Sequence, residues 1–328
     1  MSETGIYPEN ALVLAPLSGF TDLPYRRSVR RHGGFFAFAE MVDAASLAHT
    51  PRRGLALAER GPEEEFLGVQ VVGADLEWLK RSCDELNARD FSLLDFNLGC
   101  PVAKVVKKGA GAALGRRIDD ALRCFKVLSE RSRFPVTAKL RILSHHDPMP
   151  TVRLAEGLAA LGARTITVHG RVLEDFYTGP VRGDIIAAVR EAVAPSGVQV
   201  IANGGVKDRE SYDRLRAESG CSRVMLAQGA MGNPWLFAEL AHGAPPPTLD
   251  EWKLELRTHV AEMVEYYGES SALRQARKII HDYLRGRGFA SEYRARASYL
   301  ATFSDFEKWL SEAVPTTGSA SRPLRVSG

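Results

Sequence analysis

Up to Ala241 the chain alternates short apolar runs with longer amphipathic stretches. The apolar runs have strand length and end in turn-forming residues: Leu12–Leu17, Phe35–Glu40, Leu67–Val72, Leu93–Asn97, Val136–Leu140, Thr165–His169, Val198–Ala202 and Arg223–Leu226. Between them, apolar residues recur at helical spacing, notably over Asp75–Arg89, Asp119–Arg131, Val152–Leu161, Asp184–Ala194 and Arg209–Glu218. This alternation predicts an α/β fold, a (β/α)8 TIM barrel. An open doubly wound sheet is the competing arrangement, but its early Gly-x-Gly-x-x-Gly turn is absent.

The pattern changes at Ala244-Pro245-Pro246-Pro247, because consecutive prolines cannot continue a helix and form a stiff connector. Beyond it the periodicity is helical throughout, with segments at 249–267, 272–285, 292–301 and 303–313. The expected organisation is a barrel domain over 1–243, a small all-helical domain over 244–314 and a disordered Ser/Thr/Gly/Pro/Arg-rich tail over 315–328.

Composition narrows the class without changing this picture. With 328 residues, 45% hydrophobic and 25% charged, the chain has ample material for a large core. A net charge of +3 allows a nucleic-acid partner without demanding one, so the location of the basic residues must decide. No apolar run is long enough for a membrane helix and no leader pattern opens the chain, so the expected compartment is the cytoplasm. Cys83, Cys100, Cys124 and Cys221 are far apart and form no Cys-x-x-Cys, which argues against a zinc site or a disulfide framework. The adjacent His145 and His146 have no third ligand nearby, so no metal is expected there.

Cys83 and Cys124 sit on apolar helical stripes, whereas Cys100 follows an apolar strand in Leu93-Leu94-Asp95-Phe96-Asn97-Leu98-Gly99-Cys100-Pro101. A thiol just past a barrel strand stands where barrel chemistry is carried out. Most other strand ends also turn polar or glycine-rich: Ala15-Pro16-Leu17-Ser18-Gly19, Ala39-Glu40-Met41, Gln70, Lys139-Leu140-Arg141, His169-Gly170-Arg171, Asn203-Gly204-Gly205 and Ala227-Gln228-Gly229. The glycine-rich loops after the last two strands suit an anion such as a phosphate. In the helical domain, Arg274, Arg277, Lys278, His281 and Arg285 recur at spacings that place them on one face, and Arg287, Arg294 and Arg296 are expected to extend this basic surface.

In these residues the chain resembles the tRNA-dihydrouridine synthases over its whole ordered length. The matching motifs, in order, are Ala15-Pro16-Leu17-Ser18-Gly19-Phe20-Thr21-Asp22, Glu40-Met41, Asn97-Leu98-Gly99-Cys100-Pro101, Lys139-Leu140-Arg141, His169-Gly170-Arg171, Ala202-Asn203-Gly204-Gly205 and Gly232-Asn233-Pro234-Trp235. The resemblance implies a monomeric FMN-binding barrel, a helical domain that grips tRNA, and NADPH-dependent reduction of the C5–C6 bond of a particular uridine. It implies FMN contacts from Pro16, Leu17, Ser18, Gln70, Lys139, His169, Asn203, Gly204, Gly205, Ala227 and Gln228. Cys100 would be the proton donor, with Asn97 and Arg141 near the flavin and the substrate base, and Arg274, Arg277, Lys278 and Arg285 would contact tRNA phosphates.

One departure bears on the cofactor. Where the family usually has Gly-Arg after strand eight, this chain has Ala227-Gln228, which keeps hydrogen-bonding capacity but loses an ion pair with the FMN phosphate. A barrel that has lost catalysis and serves as an RNA-binding protein, or a flavin-dependent reductase of a small molecule, are therefore the alternatives.

Overall fold

The computed structural model describes residues 5–315; the tail expected to be disordered lies outside them from residue 316. Among the described residues nine parallel strands are formed: β1 (Leu12–Leu14), β2 (Phe36–Phe38), β3 (Val42–Asp43), β4 (Leu67–Val72), β5 (Leu93–Leu98), β6 (Val136–Arg141), β7 (Thr165–His169), β8 (Gln199–Asn203) and β9 (Val224–Leu226). The order runs β2-β1-β9-β8-β7-β6-β5-β4, and pairing of Ala37 with Leu67 and Phe38 with Gly68 joins β2 to β4 and closes an eight-stranded barrel. The two-residue β3 is an extra pairing on β4. The expected TIM barrel is thus observed.

The helices in chain order are α1 (Leu23–Arg31), α2 (Ala44–His49), α3 (Pro51–Ala56), α4 (Leu76–Asn87), α5 (Ala103–Val106), α6 (Ala112–Gly115), α7 (Ile118–Arg131), α8 (Met149–Ala160), α9 (Gly183–Val193) and α10 (Arg209–Ser219), followed by α11 (Leu236–His242), α12 (Leu249–Tyr267), α13 (Glu269–Leu284), α14 (Ser291–Arg296) and α15 (Phe303–Ser311). No helix among the described residues is long and apolar enough to cross a membrane.

Packing divides the chain into two compact units, residues 1–22 with 35–228 and residues 23–34 with 229–328. In the barrel unit, Tyr7, Val13, Phe38, Leu93, Ile201 and Met225 form an apolar inner cluster. Strand β1 stops earlier than its apolar run predicts because Pro16 has no N–H to continue the ladder, and the chain turns there, Thr21 Oγ1 accepting from Leu17 N at 3.0 Å.

The second unit is helical and is built around a buried polar cluster. Glu255 on α12 accepts from Ser28 Oγ at 2.7 Å and from Arg31 Nη2 at 2.8 Å, and pairs with His32 Nε2 at 3.0 Å. Burial opposes its ionisation, yet the hydrogen bonds from His32 and Arg31 hold its carboxyl down to about 2. Tyr283 on α13 joins Ser28 at 3.0 Å and His259 Nδ1 at 3.2 Å, and Trp252 Nε1 donates to its carbonyl at 3.1 Å. Gly232 (φ 67°) is required here, since a Cβ would lie 2.2 Å from the carbonyl carbon of Asp282.

Arg287 corrects one expectation. It is 3% exposed, donates to Asn233 Oδ1 at 2.9 Å and lies over the Trp235 ring, so it belongs to the interior rather than to a basic surface. Its neighbours Arg294 and Arg296 are exposed as expected.

Candidate active site

Alternation along the barrel strands sorts their side chains into layers. On β5, Leu93 joins the inner apolar cluster, and Asp95 and then Asn97 follow on the same face. The register sets Gln70 beside Asp95, Asp95 beside Thr137, Asn97 beside Lys139, Arg141 beside His169, and His169 beside Asn203. A layer of buried polar groups therefore stands above the apolar one, toward the C-terminal ends of the strands.

These groups are linked in sequence. Thr137 Oγ1 and Gln70 Nε2 donate to the two carboxylate oxygens of Asp95 at 2.6 and 2.7 Å, and Asn97 Nδ2 donates to Gln70 Oε1 at 2.7 Å. Burial pushes the Asp95 carboxyl up to about 6 despite those donors. Across the barrel, Lys139 Nζ donates to Asn203 Oδ1 at 2.8 Å, and Asn203 Nδ2 donates to the Met225 carbonyl at 2.8 Å. Burial and the neighbouring Arg141 guanidinium push the Lys139 ammonium down to about 8. Burial, then the cations Lys139, Arg141 and Arg171, keep His169 neutral, well below the ordinary imidazole range.

The thiol loop is fixed from beneath and from the side. Asn97 Oδ1 accepts from Gly99 N at 3.0 Å and from Cys100 N at 2.8 Å, a side-chain turn that sets the backbone at the cysteine. The Cys100 carbonyl accepts from Ala112 N at 3.0 Å, and a Cβ on Gly111 (φ 59°) would come within 2.7 Å of that oxygen. Cys100 itself is half-buried and free, and burial raises its thiol pKa against the opposing pull of the Val102 N–H, Lys139 and Arg141. The proton is therefore held on sulfur at neutral pH.

Arg141 is 2% exposed, and its guanidinium donates to the carbonyls of Gly99 at 2.9 Å, Val172 at 2.9 Å and Phe176 at 2.6 Å. It also lies over the Tyr177 ring, 5.5 Å from its centroid. The loops after β6 and β7 are further joined by His145 and Asp175 at 3.3 Å, which gives the His pair a structural partner. After β8, Gly204 (φ 126°) leaves room for His169, whose Cδ2 would lie 2.8 Å from an added Cβ. Pro16 and Leu17 are half-buried and Ser18 exposed in the turn after β1; Ala227 is half-buried after β9, and Gln228 is exposed in the short 3₁₀ turn Gln228–Ala230.

The barrel thus brings Gln70, Asn97, Cys100, Lys139, Arg141, His169 and Asn203 into one connected group. Arg274, Arg277, Lys278 and Arg285 lie in the helical unit, Arg277 half-buried and the other three exposed. Sequence reading missed Asp95 and Thr137 as part of the site. An acid two residues before Asn97, on the same face of a buried strand, was the available signal.

Comparison with known proteins decides the family. The family model described as dihydrouridine synthase matches residues 13–317. The chain belongs to the dihydrouridine synthase family. A relative named tRNA-dihydrouridine synthase B, from Pseudomonas aeruginosa, is 33% identical over 300 residues, covering 89% of each chain. Another from Rhodobacter capsulatus, named probable tRNA-dihydrouridine synthase, is 34% identical over 275 residues, covering 81% of this chain and 84% of its own length. A third, tRNA-dihydrouridine synthase B from Pseudomonas putida, is 32% identical over 300 residues, covering 89% and 87%. The dihydrouridine synthase match spans both units, so the helical one belongs to the family pattern as well as the barrel.

Proposed function

We propose that this chain reduces the C5–C6 double bond of a uridine in tRNA to give 5,6-dihydrouridine, with FMN as its flavin and NADPH as the reductant. The observation that carries this reading is a protonated thiol, Cys100, held at a barrel mouth beside a half-buried lysine, in a chain of the dihydrouridine synthase family.

The donor set fits a flavin phosphate and ring. Lys139 is a cation whose hydrogen bond goes to a neutral amide, so an anionic group at that position would balance its charge. Gly204 and Gly205 present backbone at positive φ where side chains would obstruct an approaching ligand. Pro16 to Ser18, Gln70, Lys139, His169, Asn203 to Gly205 and Ala227-Gln228 would hold FMN, whose bound, reduced form supplies the hydride at C6 of the base. His169, kept neutral, can donate or accept a hydrogen bond without adding charge.

Cys100 completes the reduction by giving its proton to C5 as negative charge develops there, and it regains a proton from solvent. Nucleophilic use of the thiol would need a base or a strong positive field to form thiolate, whereas burial holds the proton on the Cys100 sulfur. Asn97 and Arg141 act here as positioning residues: the first holds the Cys100 N–H and the second the Gly99 carbonyl. The base must leave its stack to reach this depth, so the exposed cations Arg274 and Lys278 on α13 and Arg285 just past its end would grip the tRNA backbone.

The test is to purify wild-type protein and Cys100→Ala, record flavin absorbance, and measure dihydrouridine formed in tRNA taken from a deletion strain. The variant is expected to retain flavin and tRNA while turnover falls by roughly 10²–10⁴-fold. Near-normal turnover removes Cys100 as proton donor. A wild-type protein that carries flavin but forms no dihydrouridine overturns the reading as a whole.

A further inference from the structure

Among the described residues, the most exposed aromatic ring lies in the helical unit. Tyr299 is 81% exposed, although its neighbours Ala297 and Leu300 are 0% and 6% exposed. It ends the 3₁₀ turn Ala297–Tyr299, and that turn is pinned to α13 on both sides of the tyrosine. Ser298 Oγ meets His281 Nε2 at 2.9 Å, and the Leu300 carbonyl accepts from Arg277 Nη2 at 3.4 Å. The ring therefore stands on a fixed backbone beside the turn of α13 that carries Arg277, Lys278 and His281.

Its surroundings are cationic. Arg274 and Lys278 are exposed one helical turn apart, and Arg294 is exposed on the preceding helix α14. Of the acids in this stretch, Asp282 is buried and paired with Arg285, Glu312 pairs with Arg296 at 2.6 Å, and Glu292 is exposed on α14 among these cations. A flat, rigid, exposed ring among cations is the arrangement that stacks an unpaired base while neighbouring side chains meet its phosphates.

We propose that Tyr299 is a stacking platform for an unpaired base of the tRNA, with Arg274, Lys278 and Arg294 contacting the adjoining phosphates. This rests on the tRNA reading above and adds to it a named base contact remote in sequence from the barrel residues. Stacking on an exposed ring releases no counterions, so loss of the ring lowers affinity without changing the salt dependence.

The experiment measures tRNA binding by fluorescence anisotropy at several salt concentrations for wild type, Tyr299→Ala, Tyr299→Phe and Lys278→Ala, with sedimentation velocity on each protein. Tyr299→Ala is expected to weaken binding by roughly tenfold with an unchanged salt slope, and Tyr299→Phe to bind as wild type. Lys278→Ala is expected to lower the slope of log affinity against log salt by about 1. Wild-type binding with Tyr299→Ala within twofold of it overturns the stacking role and leaves the tRNA reading standing. Failure of wild type to bind tRNA in a salt-sensitive way overturns both. A wild-type dimer that Tyr299→Ala dissociates, with tRNA affinity unchanged, also overturns the proposal, because the ring then serves a second copy of the chain.

Discussion

The polar cluster around Glu255 and the polar layer around Lys139 are both enclosed by protein, and they are built on opposite terms. At Glu255 a carboxylate meets Arg31, His32 and Ser28, so charge is matched and the carboxyl is held down to about 2. In the barrel, Lys139 meets an amide, Asp95 meets an amide and a hydroxyl, and each is pushed toward its neutral form, to about 8 and about 6. A cluster that only joins helices places opposite charges in contact. On the proposed reading, the barrel layer leaves its charges unmatched so that a charged ligand completes the match.

The sharpest way to break this comparison is to remove the matched carboxylate. Glu255→Ala takes the buried acceptor from Ser28, Arg31 and His32 and leaves Arg31 only Glu262, and the expected loss is about 3–5 kcal/mol in denaturant unfolding. The pH dependence follows from the depressed value: the contribution of Glu255 is in full force above the ordinary carboxylate range and is lost as pH falls through about 2. An Ala variant as stable as wild type at pH 7 would show that the matched cluster contributes nothing.

Asp95 tests the other side. Its folded value is raised from 3.8 to about 6, so its contribution is fully present below about 4, declines as pH rises to about 6, and is level above that. The size of the decline is roughly 3 kcal/mol, at about 1.4 kcal/mol for each pH unit of difference. Asp95→Asn can still accept from Gln70 and donate to Thr137, so it should unfold with no such slope while keeping the fold. Parallel stability profiles for wild type and variant between pH 4 and 6 would contradict the unmatched character of this layer.

The two regions also differ in how far the sequence disclosed them. Strands β4 and β7 were legible to the residue because each is a continuous apolar run ended by turn formers, and Cys100 and Lys139 were legible because their strand ends carry residue types a bare terminus does not need. Helix α1 was not among the stretches read as helical, and its Arg26, Arg27, Arg30 and Arg31 within nine residues leave little apolar stripe to see. Its reason for being helical is the α12 face carrying Glu255, more than 220 residues away in the chain. Arg287 was misread for the same reason: only the fold supplies Asn233 and Trp235 to bury it. Asp95 was visible as an acid in an apolar strand, but its meaning depends on Gln70 and Thr137, which the barrel register brings alongside.

The smallest expected effect on stability is also the one of opposite sign. Lys139→Met removes a half-buried cation whose value is depressed to about 8, a group that at pH 7 carries charge against its surroundings. Water still reaches this side chain through the mouth, and Asn203 loses a donor, so the expected gain is only about 1 kcal/mol in unfolding experiments at pH 7. The linkage runs in the matching direction: wild type is relatively more stable above pH 8 than below it, so the advantage of the variant should shrink as pH rises through that value. Dihydrouridine formation should fall at least a hundredfold in the same protein, because on the proposed reading the unmatched Lys139 charge is the one that would meet the flavin. If Lys139→Met proves less stable at pH 7 with its activity intact, the lysine is a structural member of the barrel and the contrast with Glu255 fails.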